Sequence, residues 1–221
     1  MFAPTLIGSA PADGQDLYFV SLATPDTTPR ADARAQIRQA LREALLNLLP
    51  ADPESLVLIS TPGQPVRLAP PWADIGLSIS HEPGLSLAVI NLAGPVGVDL
   101  LRVATIASGS GTVARDYLGP DAASALAGLP DEQLQHAFAQ AWTRLEARLK
   151  CLALELREWS PALEARLTGC RVTDLTMAEG WVGAVAIPGE GSSSAPTRVA
   201  AGQGSTAPEI PWGLRNASRS A

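Results

Sequence analysis

Between Asp131 and about Arg157 the apolar residues Leu134, Phe138, Ala141, Leu145, Leu149, Leu152 and Leu156 recur at three- and four-residue steps, with no glycine or proline among them. That period predicts one long amphipathic helix. An earlier segment, Arg34 to Leu49, repeats it with Ile37, Leu41, Leu45 and Leu48 on one side and a four-residue-spaced row of Arg30, Arg34, Arg38 and Arg42 on the other. Between the two helices the period shortens. Leu77-Ser78-Ile79-Ser80-His81, Leu85 to Asn91 and Val96 to Leu100 are alternating or β-branched runs broken by Glu82-Pro83-Gly84 and by Ala93-Gly94-Pro95. They predict three short strands in an antiparallel meander. Further strands are expected at Leu17–Leu22, Leu56–Ile59, Arg171–Met177 and Trp181–Ile187, the last two joined by Ala178-Glu179-Gly180, with short helical pieces at Thr112–Leu118 and Asp121–Leu126. Val103-Ala104-Thr105-Ile106 leads into Ser108-Gly109-Ser110-Gly111, which reads as a mobile loop. From Gly189 onward Gly, Ser, Pro, Ala and Thr dominate, the composition of a flexible tail. The class is α+β.

Three features cut across this pattern. Asp99 falls inside the third strand, where aspartate is disfavoured; it shares a face with Gly97 and Leu101, while Val96, Val98 and Leu100 point to the core. His81 stands at a strand end beside the Glu-Pro-Gly turn. On the long helix Trp142, Glu146 and Lys150 are four residues apart and form a row along the border of the apolar stripe. Lys150 is the sole lysine of the 221-residue chain; every other basic side chain is an arginine. An ammonium is a compact point charge suited to a phosphate oxygen, and arginine does not replace it like for like. Each feature also has an ordinary explanation: a solvated strand carboxylate, a turn histidine, and a surface Glu-Lys pair worth roughly 0.2–0.5 kcal/mol.

Their joint order is more specific. Ser80-His81 at a strand end, Gly97-Val98-Asp99 after a tight turn, and Trp142-x-x-x-Glu146-x-x-x-Lys150 on a helix together resemble the surfactin-type branch of the 4'-phosphopantetheinyl transferases. The likeness extends to the Arg34–Leu49 helix, to Gly63-Gln64-Pro65-Val66-Arg67-Leu68 with Pro70-Pro71-Trp72, and to a closing hairpin after Arg171. The resemblance implies transfer of the phosphopantetheine arm of coenzyme A to a serine of an acyl or peptidyl carrier protein, with release of adenosine 3',5'-bisphosphate and a requirement for magnesium. Asp99 and Glu146 would hold the metal; Glu146, or a water it orients, would take the serine proton; Lys150 would meet charge growing on the phosphates. Ser80 and His81 would hold coenzyme phosphate oxygens, Gly63, Gln64 and Pro65 would lie near the adenine nucleotide, and Arg34 or Arg38 would meet the 3'-phosphate. The family pattern further implies two similar α+β halves related by a pseudo-twofold axis, residues 1–101 and 102–188, each an antiparallel sheet packed on helices. The site would lie in the cleft between them, with residues 189–221 as the tail. Two departures stand out: Leu101, where the family often has a second acid, and Leu145, where it often has a lysine. They keep a second reading open, a degenerate relative that binds coenzyme A or a carrier without turnover.

Charge and cysteine content narrow the field. With 16 basic against 22 acidic residues the net charge is −6, which argues against a general nucleic-acid binder. An acidic carrier would need a local basic patch, and the early arginine row is the candidate. Cys151 and Cys170 form neither a disulfide framework nor a zinc spacing. The absence of a basic residue before Arg30 and of any long apolar run predicts a cytoplasmic protein with no membrane segment. A monomer is expected.

Overall fold

The two apolar periods are realised as helices and sheets stacked in layers. The computed structural model describes residues 5–7, 17–61, 64–103 and 110–189. In chain order these form β1 (Thr5–Ile7), β2 (Leu17–Ala23), α1 (Arg30–Leu48), β3 (Leu58–Ile59), β4 (Arg67–Leu68), β5 (Gly76–Glu82), β6 (Leu85–Asn91), β7 (Gly97–Arg102), α2 (Ser110–Val113), a π-helical turn (Ala114–Leu118), α3 (Pro120–Ala127), α4 (Asp131–Cys151), α5 (Pro161–Leu167), β8 (Cys170–Asp174) and β9 (Trp181–Pro188). The flexible tail, apart from Gly189, and positions 104–109 of the expected mobile loop lie outside the described residues.

Strand pairing is antiparallel throughout, in a sheet ordered β1-β2-β6-β5, a sheet ordered β7-β9-β8 and a two-residue β3-β4 ribbon. Alternation along the strands sorts their side chains between layers. Val20, Leu22, Ala88 and Ile90 pack on α1 through Ile37, Leu41 and Leu45, and those three helix residues are 0% exposed. Burial of that kind is worth about 1.5–3 kcal/mol per side chain. The opposite face of the same sheet, with Leu17, Phe19, Leu87 and Val89, meets Val98, Leu100, Val185 and Ile187 of the second sheet. The second sheet turns small residues, Ala184 and Ala186, toward Ala147 and Cys151 of α4. That close approach requires glycine at 97, because a Cβ there would lie 2.0 Å from the Ala147 carbonyl oxygen. The close approach seats the Glu146–Lys150 turn of α4 directly on β7.

The predicted meander is only half formed. β5 and β6 make the expected hairpin, but the third run, β7, pairs with β9 and belongs to the second sheet. Asn91 ends β6 by accepting from the Ala93 amide and donating to the Pro95 carbonyl, and the chain crosses to the next layer through this turn. Helix α4 stops at Cys151, six residues short of the expected end. Ala153 adopts φ 52°, its amide bonds the Lys150 carbonyl, and the Leu154 amide bonds the Leu149 carbonyl. These are the paired bonds of a Schellman stop, here built on alanine in place of glycine. Leu152 of the apolar series and Leu154 outside it still pack, with Leu149, against α5, whereas Leu156, the last expected member of the series, is exposed. Two strands are shorter than expected, β3 by its first two residues and β8 at Asp174. Helix α1 begins at Arg30, and α2 takes in Ser110, which the sequence had placed in a loop.

Candidate active site

A cleft of about 760 Å³ opens where α1, the β3-β4 ribbon, β5, β7 and α4 converge. Of the residues singled out from sequence, Arg34, Arg38, Gln64, Pro65, Ser80, His81, Asp99, Glu146 and Lys150 all line it. Gly63 lies outside the described residues. Trp142 lines it too, stacked on Phe138 and edge-on to Tyr117.

Asp99 is the centre of this arrangement. It is 8% exposed, and its Oδ1 accepts hydrogen bonds from the Ser80 hydroxyl at 2.8 Å and from Lys150 Nζ at 2.7 Å. Lys150 Nζ also donates to the Val98 carbonyl at 3.0 Å. The sole lysine therefore reaches across to the strand for its ion pair, where a simple helix-surface pairing would have joined it to Glu146. Glu146 has its carboxyl raised above the ordinary glutamate range, first by burial and then by the negative charge of Asp99, with Lys150 opposing. Glu82 is raised for the same two leading reasons. Two glutamates whose ionisation is disfavoured by burial and by the charge of Asp99 form with it a donor set that a hard cation would relieve. Among the described residues no three His, Cys, Asp or Glu side chains are gathered into a ready-made metal cage. Asp99 and Glu146 offer the one or two carboxylates magnesium takes when water and substrate phosphate complete its shell.

The opposite wall is basic. Arg30, Arg34 and Arg38 face the cleft, whereas Arg42 does not and instead bonds the Pro53 carbonyl. His81 Nδ1 lies 2.6 Å from the hydroxyl of its cross-strand partner Ser86, which ties the ring to β6 and directs a ligand to Nε2. Burial, then Arg30 and Arg34, depress the His81 pKa, so the ring is neutral at neutral pH and acts as a hydrogen-bonding group.

Several cleft residues escaped the sequence reading, Ser60 and Thr61 just after β3 among them. Glu82 and Ser78 share the two-residue period of Ser80 and thus its face, a signal that was available in the alternation; Arg30 was seen only as part of a row. The departures also separate. Leu101 lines the cleft beside Asp99. Leu145 is 6% exposed and packs with Leu149, Leu163 and Leu167, so it faces the core and removes no charge from the cleft wall.

Comparison with known proteins points to the same segment. Residues 95–182, which carry Asp99, Glu146 and Lys150, match the family model of the 4'-phosphopantetheinyl transferase superfamily. One relative is the 4'-phosphopantetheinyl transferase HetI of Nostoc sp., 31% identical over 121 residues, which is 54% of this chain and 50% of HetI. The chain thus spans about half the length of that relative. Among the described residues no helix is long and apolar enough to cross a membrane.

Proposed function

We propose that the protein is a 4'-phosphopantetheinyl transferase, closest in type to the surfactin branch. In this reading it moves the phosphopantetheine arm of coenzyme A to a serine of an acyl or peptidyl carrier protein. The observation that carries this is the meeting of Asp99, Glu146 and Lys150 in one cleft whose other wall holds Arg30, Arg34 and Arg38, within and beside the segment matched by the family model. A cleft with carboxylates at one side and guanidinium groups at the other suits a polyphosphate held by a divalent ion.

In the reaction the carrier serine oxygen forms a bond to the phosphorus next to the pantetheine arm. The pyrophosphate P–O bond breaks, and adenosine 3',5'-bisphosphate leaves. Asp99 and Glu146 would hold magnesium, which when bound supplies Lewis-acid neutralisation of the pyrophosphate oxygens. Glu146, or a water it orients, takes the serine proton. Lys150, already directed at Asp99, lies where it can follow charge onto the phosphates. Arg34, Arg38 and neutral His81 bind phosphate oxygens of the coenzyme, and Gln64 and Pro65 border its nucleotide. The protein works as a cytoplasmic monomer made of two α+β halves.

Leu101 in the cleft wall favours one second reading, a coenzyme- or carrier-binding relative without turnover. Chromatographic detection of adenosine 3',5'-bisphosphate separates the two. The transferase reading expects its release from coenzyme A only when magnesium and an apo carrier are both present. Coenzyme binding with no release in any combination would favour the binding module.

A further inference from the structure

β5 and β7 belong to different sheets, so no backbone ladder joins them. Two serine hydroxyls take its place. Ser78 Oγ accepts the Val98 amide at 3.0 Å, and Ser80 Oγ accepts the Leu100 amide at 3.2 Å. The same face starts at Gly76, where a Cβ would lie 1.9 Å from the Gly94 carbonyl oxygen. The two strands are therefore in close contact along a seam of side chain against backbone. Ser78 is 6% and Ser80 5% exposed.

Only one of these serines does something more. The Ser80 hydroxyl, having accepted from Leu100, donates its hydrogen to Asp99 Oδ1 at 2.8 Å. A serine carries a single O–H donor. With that hydrogen on Asp99, Ser80 has none to offer a phosphate oxygen. Resting on the reading that Asp99 holds the metal, we propose that Ser80 is a positioning residue for that carboxylate and not a coenzyme contact. It couples the first sheet to the metal-binding strand of the second, and with Lys150 on the same oxygen it leaves Oδ2 as the oxygen directed to an ion. Partners that orient a metal-ligating carboxylate typically change metal affinity by about 10–100-fold when removed.

Ser78 provides the control, because it makes the same seam bond to a backbone amide without touching a carboxylate. The experiment titrates Mg²⁺ by calorimetry into the full-length protein saturated with coenzyme A, and coenzyme A into the protein at saturating Mg²⁺, with thermal melting run alongside. Ser80→Ala should weaken Mg²⁺ binding by about tenfold or more while leaving coenzyme A affinity within about threefold. Ser78→Ala should leave both within about threefold despite a comparable drop in melting temperature. Equal Mg²⁺ affinities in the two variants, or a loss confined to coenzyme A in Ser80→Ala, would overturn the assignment. If Ser80→Ala does not fold, Ser80→Thr, which keeps the hydroxyl, should retain Mg²⁺ affinity and Ser80→Cys, a weak donor, should lose it; matching affinities in that pair would equally overturn it. Coenzyme A binding to the wild type with no Mg²⁺ uptake would instead remove the transferase reading beneath the proposal.

Discussion

Asp99 on β7 and Asp174 on β8 stand in one sheet, and each meets a cation from helix α4, yet the two pairs are built in opposite ways. Asp174 is gripped by one edge of the Arg144 guanidinium, through Nε and Nη2, with Gln140 adding an amide at 2.8 Å, and both partners are substantially exposed. A planar fork on a carboxylate fixes geometry and leaves little capacity for a ligand. Asp99 is buried, and its cation is an ammonium that shares one carboxylate oxygen with a serine. A point charge can follow an incoming phosphate in a way that a bidentate fork cannot. The outer pair fastens α4 to the sheet edge, and in the proposed reading the inner pair is the one exchanged for substrate and metal. At the end of β7, Arg102 follows the outer pattern, forking onto Asp26 while also bonding the Pro83 carbonyl.

Breaking the inner pair should have the largest effect. Asp99→Ala and Glu146→Ala should each reduce carrier modification by about a thousandfold or more, and the double variant should be little worse, because residues that serve one ion act as a unit. Substantial turnover in either single variant would end their shared assignment. Lys150→Ala should follow, with turnover down by about a hundredfold against a stability loss of about 1–3 kcal/mol from the buried Asp99 carboxylate left without its cation. Lys150→Arg should recover only part of the rate, since a fork cannot reproduce the 2.7 Å and 3.0 Å contacts of one nitrogen. Modification rates and melting curves on the same three proteins decide this.

A smaller effect sharpens the contrast through pH. The folded Glu146 carboxyl titrates above its unfolded value, so its favourable contribution is complete below the unfolded pKa and is lost as pH rises through the folded one. At neutral pH the ionised side chain is therefore a liability. Glu146→Gln should raise the magnesium-free melting temperature at pH 7 by about 1–3 °C, and the gain should vanish toward pH 4. An unchanged or lower melting temperature at pH 7 would contradict the assigned burial. Asp174 behaves in reverse: Arg144 holds its carboxyl below the usual range, so the outer pair stabilises above the unfolded aspartate pKa and is lost as pH falls through the folded value. Arg144→Ala should cost about 0.5–1 kcal/mol at pH 7, less in acid, with carrier modification unchanged. A large rate loss there would erase the distinction between the two pairs.

Much of this contrast was legible before the fold. The four-residue spacing fixed Trp142, Glu146 and Lys150 on one side of a helix whatever that helix packed against, and the two-residue period gave Asp99 its face. What alternation cannot encode is which strand lies next. Ala93-Gly94-Pro95 marks a turn, and nothing local says that the strand beyond it crosses to another layer to pair with residues some ninety positions later. The partner of Lys150 was hidden for the same reason, since an i to i+4 carboxylate is visible in the sequence and Asp99 across the sheet is not. The end of α4 was missed because Ala153 occupies a conformation usually reserved for glycine while Leu152 and Leu156 continue the helical period in the sequence, although Leu156 is exposed in the fold.

The most direct test of the transferase reading is the mass of the acceptor. Purified protein incubated with coenzyme A, magnesium and a panel of apo acyl and peptidyl carriers should add one phosphopantetheine arm to the serine of at least one carrier. The gain should disappear with chelator or in Asp99→Ala. A folded protein that binds coenzyme A and leaves every carrier in the panel at its apo mass would contradict it.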